Sequence, residues 1–160
     1  VLLSLLLSIK TFGQFTSAEI GVDGLTCSQC QRGVEMSIRK LDFIQDILVN
    51  LEHTNGKITF KSGSKVNMDK IAKAVSDAGF SVRFLKVNFT FNNLNVSDNF
   101  CFSYQGDNYQ FIKAGNQLLN GEKTIKIVGK NFMSAKEYKS VKAELIKTCD
   151  KLNPTFFVML

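Results

Sequence analysis

Apolar positions in the first half of the chain switch between two periods in a definite order. Ala18, Ile20 and Val22 alternate with polar neighbours, which predicts a half-buried strand over residues 17–22. Cys30, Val34, Ile38 and Leu41 follow at i, i+4, i+8 and i+11, one side of a helix. Asp42 and Phe43 interrupt that spacing, and Ile47, Val49 and Leu51 resume period two. Asn55-Gly56 is suited to the positive φ angles of a tight hairpin, with Ile58 and Phe60 on the returning strand. Asn67 is placed to cap a second helix, with Val66 and Ile71 as its hydrophobic staple. That helix would bury Met68, Ile71, Ala72, Val75 and Ala78, and Gly79 would end it. Phe80, Val82 and Phe84 read as a further strand. The order predicts an α+β domain over residues 17–86: βαββαβ, with two helices on one face of a four-stranded antiparallel sheet.

Beyond residue 84 the inward phase slips. Phe80, Val82 and Phe84 give way to Val87, Phe89 and Phe91, an odd offset that sends the later side chains to the opposite face. A continuous strand with a bulge could do this; a domain joint near residues 85–88 is the simpler expectation. Short aromatic strands come next, with Phe100, Phe102 and Tyr104 separated from Tyr109 and Phe111 by the turn signal Gly106-Asp107-Asn108. Asn120-Gly121 marks a second turn between Leu118-Leu119 and Ile125, Ile127. Ser134 to Glu137 has the form of a capping box, and the helix after it would carry Tyr138, Val141, Leu145, Cys149 and Leu152 on one side. Residues 156–160 read as an edge strand or the cut end of a longer chain. The expectation for residues 88–160 is thus a small β-rich module with one C-terminal helix.

Chemistry concentrates in Asp23-Gly24-Leu25-Thr26-Cys27-Ser28-Gln29-Cys30. The periodicity places Cys27 in a strand-to-helix loop and Cys30 in the first helical turn. There, unpaired N–H groups and the positive end of the helix dipole favour thiolate over thiol. Two soft thiolates with no third ligand nearby in sequence suit a soft ion of low coordination number, Cu(I) above all. A structural zinc site would need two more Cys or His ligands. His53, the one histidine, falls in the predicted hairpin turn, where a solvated side chain is expected. An ordinary disulfide or two buried thiols are the alternatives for the pair.

Gly24-Leu25-Thr26-Cys27-Ser28-Gln29-Cys30, in this order of elements, resembles the G-M-T-C-x-x-C signature of the heavy-metal-associated domain of copper chaperones and copper-transporting P-type ATPases, over residues 17–86. The resemblance implies a ferredoxin-like fold, a metal site at Cys27 and Cys30, and a thiolate-bearing transfer partner such as a metal-transporting ATPase. Leu25 stands where the family usually has Met, a buried loop anchor, and Leu is nearly isosteric with it. Phe80 occupies the place where ATPase modules tend to carry an aromatic and soluble chaperones a Lys; a plain core aromatic is the other reading. Lys65 reads as a solvated loop charge. The family also includes periplasmic mercury-binding proteins, so Hg(II) is the alternative cargo, with Zn(II) and Cd(II) behind it. A thioredoxin-like oxidoreductase would carry an aromatic before the first Cys and a cis-Pro facing the pair. Here Thr26 precedes Cys27 and Pro154 is the one proline.

Composition narrows the field further. At 160 residues and 44% hydrophobic the chain suits one ordinary domain or two small ones. The net charge of +6 is spread out, with ten basic against eight acidic side chains in residues 17–87 and nine against six in residues 88–160. Without a Lys/Arg run, nucleic-acid binding is not expected. Residues 1–9 are apolar or Ser and too short to span a bilayer. Together with Thr11-Phe12-Gly13 they read as the remnant of a secretory signal over residues 1–13, with a buried helix or uncleaved anchor as the alternative. Export implies a periplasmic or secreted protein without membrane insertion once the leader is removed. Cys101 and Cys149 would then suit a disulfide, against two inert buried thiols or a second metal site. No second His and no nucleophile–base pair is visible, so an enzyme is not expected. Residues 88–160 could instead be a binding module for which the first domain is a sensor or tether.

Overall fold

The structure, a computed structural model, describes residues 13–160. The leader expected at residues 1–13 lies outside them except for Gly13. Strand β1 (Phe15–Asp23), helix α1 (Ser28–Arg39), β2 (Ile44–Asn50), β3 (Asn55–Phe60), α2 (Met68–Asp77) and the start of β4 (Ser81–Val96) follow in the predicted βαββαβ order. β1 pairs antiparallel with both β3 and β4, and β2 with β3. Ile20, Ile47 and Ile58 meet Val34, Ile38, Ile71 and Val75 in a core from which water is excluded. Asn67 caps α2 through its side-chain oxygen, which accepts from the Lys70 amide at 2.9 Å.

The first hairpin turns earlier than the sequence signal suggested. Residues 51–54 make the turn, Thr54 takes the positive φ, and Asn55-Gly56 is already strand. Gly56 is required for a different reason: a Cβ there would lie 3.2 Å from Val49 Cγ2 and 3.3 Å from Ile20 Cγ2. The missing side chain lets three strands close over the core at that point.

No break separates the two halves at residues 85–88. β4 continues for 16 residues through the expected joint. The phase slip is a β-bulge instead: Val82 pairs with Val22 but Phe84 with Gly21, so Arg83 is the extra residue. It turns Phe84 outward over Gly21 and puts Leu85, Val87, Phe89 and Phe91 on the same buried face as Val82. Val87 to Phe91 therefore do not cross to the opposite face.

Along β4 the sheet adds β7 (Gln117–Val128), β8 (Thr155–Met159), β6 (Asp107–Phe111) and β5 (Cys101–Tyr104), giving the order β2-β3-β1-β4-β7-β8-β6-β5. β8 is not an edge strand: it lies between β7 and β6, parallel to β6. Asn120-Gly121 is not a turn either. β7 runs through it, and Gly121 takes φ +73° opposite a bulge at residues 91–94 of β4. The β5–β6 hairpin turns on Gln105 and Gly106, both with positive φ. It folds back over the start of the sheet. Tyr104 meets Phe15 and Phe89 edge-on at 5.5 and 5.1 Å, and Phe102 stacks on Tyr109 at 5.2 Å. These rings extend the core begun under α1 and α2 into one continuous interior.

Helix α3 (Ala135–Val141) packs on the other face, over Ile112, Val128, Met133 and Phe157. Ser134 accepts from the Glu137 amide at 3.3 Å, while the Glu137 carboxylate pairs with Lys126 of β7 rather than reaching back to the cap. The helix is shorter than predicted, ending in one 3-10 turn at Lys142–Glu144. Leu145, Cys149 and Leu152 therefore lie outside the helix, on an irregular strap that turns at Lys151-Leu152. Gln110, fully buried in β6, decides this: its Nε2 donates to the Ile146 carbonyl and its Oε1 accepts from the Thr148 amide, both at 2.9 Å. Asn108 Nδ2 donates to the Asp150 carbonyl at 2.9 Å. Cys149 is thereby held beside Cys101, and the two form a disulfide with Cα atoms 5.7 Å apart.

Candidate metal centre

Gly24 turns the chain out of β1 with φ +88°, a conformation costly for any residue with a Cβ. Leu25 turns back inward and is 4% exposed, so it anchors the loop to the core. Cys27 then caps α1: its Sγ accepts from the Cys30 amide at 3.1 Å and its carbonyl from the Gln31 amide at 3.0 Å. Cys30 sits in the first turn, half-buried against the core, while Cys27 is exposed. No acidic side chain occupies that turn, where the positive end of the helix dipole favours negative charge on sulfur.

The structure brings the two predicted site residues together, with Cα atoms 5.1 Å apart, joined as a disulfide. This is the oxidised form of the pair; reduction frees two thiols at one helix N-terminus. Among the described residues no group of three or more His, Cys, Asp or Glu side chains gathers as a ligand set. The sulfurs thus offer two donors. His53 lies exposed in the first hairpin turn and joins no such group.

Phe80 is aimed at the loop by the way α2 ends. The Gly79 amide donates to the Ser76 carbonyl at 2.9 Å and the Phe80 amide to Val75 at 3.1 Å, a Schellman close with Gly79 at φ +89°. The ring then lies 3.4 Å from the point a Cβ on Gly24 would occupy. Lys65 is exposed, as expected of a solvated loop charge, and its ammonium comes within 4.0 Å of the buried Asp107 carboxylate at the β5–β6 hairpin.

Arg83, which the sequence did not single out, braces the loop from below. Its guanidinium donates to Thr54 Oγ1 at 2.7 Å and Asp23 Oδ1 at 3.4 Å, joining the end of β1 to the first hairpin turn. Only the bulge in β4 brings it there, and no local pattern announces that.

A ferredoxin-like domain with a thiol pair spanning the first turn of its first helix defines a class of soft-metal-binding modules. The sequence profile of the heavy-metal-associated domain matches residues 19–81. Copper chaperone CopZ of Bacillus subtilis is 36% identical over 61 residues, 38% of this chain and 87% of that protein. Copper-transporting ATPase 1 of Rhizobium meliloti is 40% identical over 68 residues, 42% of this chain. The match spans only 8% of the ATPase's length. Among solved structures, oxidised MerP from Ralstonia metallidurans is 32% identical, covering 44% of this chain and 97% of MerP, with a TM-score of 0.37. The chain belongs to the heavy-metal-associated domain family.

Proposed function

We propose that the chain binds Cu(I) through the reduced thiolates of Cys27 and Cys30 and passes it to a partner by thiolate exchange. The observation that carries this reading is the placement of both sulfurs at the N-terminus of α1, one exposed and one half-buried, with no further ligand cluster among the described residues. Two-coordinate thiolate ligation suits Cu(I), whereas Zn(II) favours four ligands. Relatives named as a copper chaperone and a copper-transporting ATPase support the same cargo.

Loading starts from the dithiol. Two thiols of an external donor reduce the Cys27–Cys30 disulfide and leave as a disulfide themselves. In transfer, a partner thiolate joins the ion while one of the chain's thiolates departs, and a second exchange completes the hand-over. The metal-binding domain of a copper-transporting ATPase is a partner of the right chemistry. An exported location is part of the proposal, supported by the Cys101–Cys149 disulfide, a bond that persists in oxidising compartments.

Anaerobic Cu(I) titration of the reduced protein against a colorimetric chelator tests the site. One ion per chain is expected, with both thiols protected from alkylation. Cys27→Ser should abolish tight binding yet keep the fold, because Ser caps a helix well but is a hard, weak ligand for a soft ion. Full Cu(I) affinity in Cys27→Ser would sink the proposal. Parallel titrations with Hg(II), Zn(II) and Cd(II) establish which cargo the pair prefers.

A further inference from the structure

Arg83 is the extra residue of the β4 bulge, and the chain is fixed on both sides of it. Val82 pairs with Val22 and Phe84 with Gly21, while Phe84 also bridges to Met133 of the C-terminal half. The guanidinium is thereby presented to the end of β1 and to the first hairpin turn. One nitrogen donates to Thr54 Oγ1 at 2.7 Å and to Asp23 Oδ1 at 3.4 Å. The other donates to the His53 and Thr54 carbonyls, each at 3.3 Å. The Phe84 ring supports the fork, its centroid 5.6 Å from the guanidinium carbon.

A half-exposed ion pair contributes little by itself. Here the planar fork is already ordered by Thr54, His53 and Phe84, so little side-chain freedom is lost in meeting Asp23. Asp23 is the last residue of β1, and the metal loop leaves the sheet from it. Gly24 turns at φ +88° against the Phe80 ring, Leu25 is buried, and Cys27 caps α1. Leu25 and Cys27 thus hold the loop through their own side chains, whereas its stem is held from across the sheet by Arg83.

We infer that Arg83 is a positioning residue of the metal site, acting through Asp23: it fixes the stem of the loop so that Cys27 and Cys30 close on one ion without the loop first being ordered. The inference rests on the metal-binding reading above and adds to it a residue outside the loop, which is not itself a ligand. A stem freed from Arg83 has to be ordered at each loading, and that cost shows as weaker binding and faster release.

Cu(I) affinity by chelator competition, and release timed into excess chelator, test this on the reduced full chain. Arg83→Gln, Asp23→Ala and the double variant should each bind about fivefold more weakly than wild type, through faster release. The double variant should lose no more than either single one, since all three break the same contact. Arg83→Lys should resemble Arg83→Gln, because an ammonium keeps the charge but cannot make the fork. Ile127→Val, which shortens a fully buried side chain of β7, lowers stability away from the loop and should bind and release copper as wild type does. Wild-type affinity in Asp23→Ala would overturn the inference, since Arg83 would then act by its charge or by holding the bulge. So would additive losses in the double variant, or wild-type release from Arg83→Lys. Equal weakening in Ile127→Val would overturn it too, because general stability would then explain the loss. Backbone amide order parameters of residues 24–30 in reduced, metal-free protein read the stem by itself. They should fall below about 0.6 in the Arg83→Gln and Asp23→Ala variants and stay at wild-type values in Ile127→Val; unchanged values in the first two would count against Arg83. If the wild type binds no Cu(I), the proposed function fails while this measurement still decides on Arg83.

Discussion

Removing the Cys101–Cys149 disulfide should cost stability far more than its distance from the metal loop suggests. The bond spans a sequence separation of 48. In the chain-entropy description, a loop of that length withdraws roughly 14 cal/mol/K from the unfolded ensemble, about 4 kcal/mol at 25 °C. For the 148 described residues this corresponds to a fall in Tm of about 13 °C. The double variant Cys101→Ala/Cys149→Ala leaves only a small void, because Cys101 is half-exposed and Cys149 is a small side chain. The Gln110 and Asn108 hydrogen bonds to the strap remain, so the native state should keep its architecture and the loss should fall on the unfolded side of the balance. Urea unfolding of wild type and variant, with Cys27 and Cys30 alkylated in both, measures the difference. Non-reducing peptide mapping of the wild type verifies the bond. Closing a loop of only four residues, the Cys27–Cys30 bond should contribute roughly half as much by the same rule. A loss under 1 kcal/mol for the double variant, with the bond present in wild type, would refute the reasoning. It would mean that residual structure already confines the chain between the two cysteines in the unfolded ensemble, or that the bond strains the native state.

Leu25→Ala should lower stability by about 2–3 kcal/mol, the low end for a buried Leu because the site is at the edge of the core. Cu(I) affinity, read by chelator competition, should weaken without vanishing, since an anchor is lost and no ligand; unchanged affinity would show that the loop does not need it. Gly56→Ala should destabilise by about 1–2 kcal/mol in urea unfolding, because the added methyl meets Val49 and Ile20 inside ordinary contact distance. A stabilised variant would mean that those strands separate more easily than their pairing implies.

Residues 88–160 add four strands to the β4 edge of the sheet, and buried side chains of those strands join the core that α1 and α2 cover, while α3 packs on the other face. A truncation at residue 87 would cut β4 in its middle and strip Phe89 from Phe15. The two halves share one sheet and one main core.

The metal loop and its domain were written in local pattern. Period two and period 3.6 alternate cleanly because each element there buries one face, so the periodicity of Ile20, Val34, Ile38, Ile47 and Val75 reports burial directly. The Cys27–Cys30 spacing, its place at a helix start, the Asn67 cap and the Gly79 stop all act within a few residues of themselves, and they needed no distant partner to be recognised. What tertiary structure decided were matters of long-range pairing. Whether the odd offset after Phe84 meant a joint or a bulge depended on how β1 paired with β4, since the extra residue falls between the Val82–Val22 and Phe84–Gly21 pairs. Whether Asn120-Gly121 turned the chain depended on the bulge opposite it. The last helix stopped at Val141, ahead of an apolar spacing that runs on to Leu152, because Gln110, more than 30 residues away, offered the strap better hydrogen bonds than another helical turn. Gly56 and Arg83 carry the same lesson at single residues. One had a local signal that named the wrong cause, and the other had none, since its partners Asp23 and Thr54 meet it only once three strands have paired.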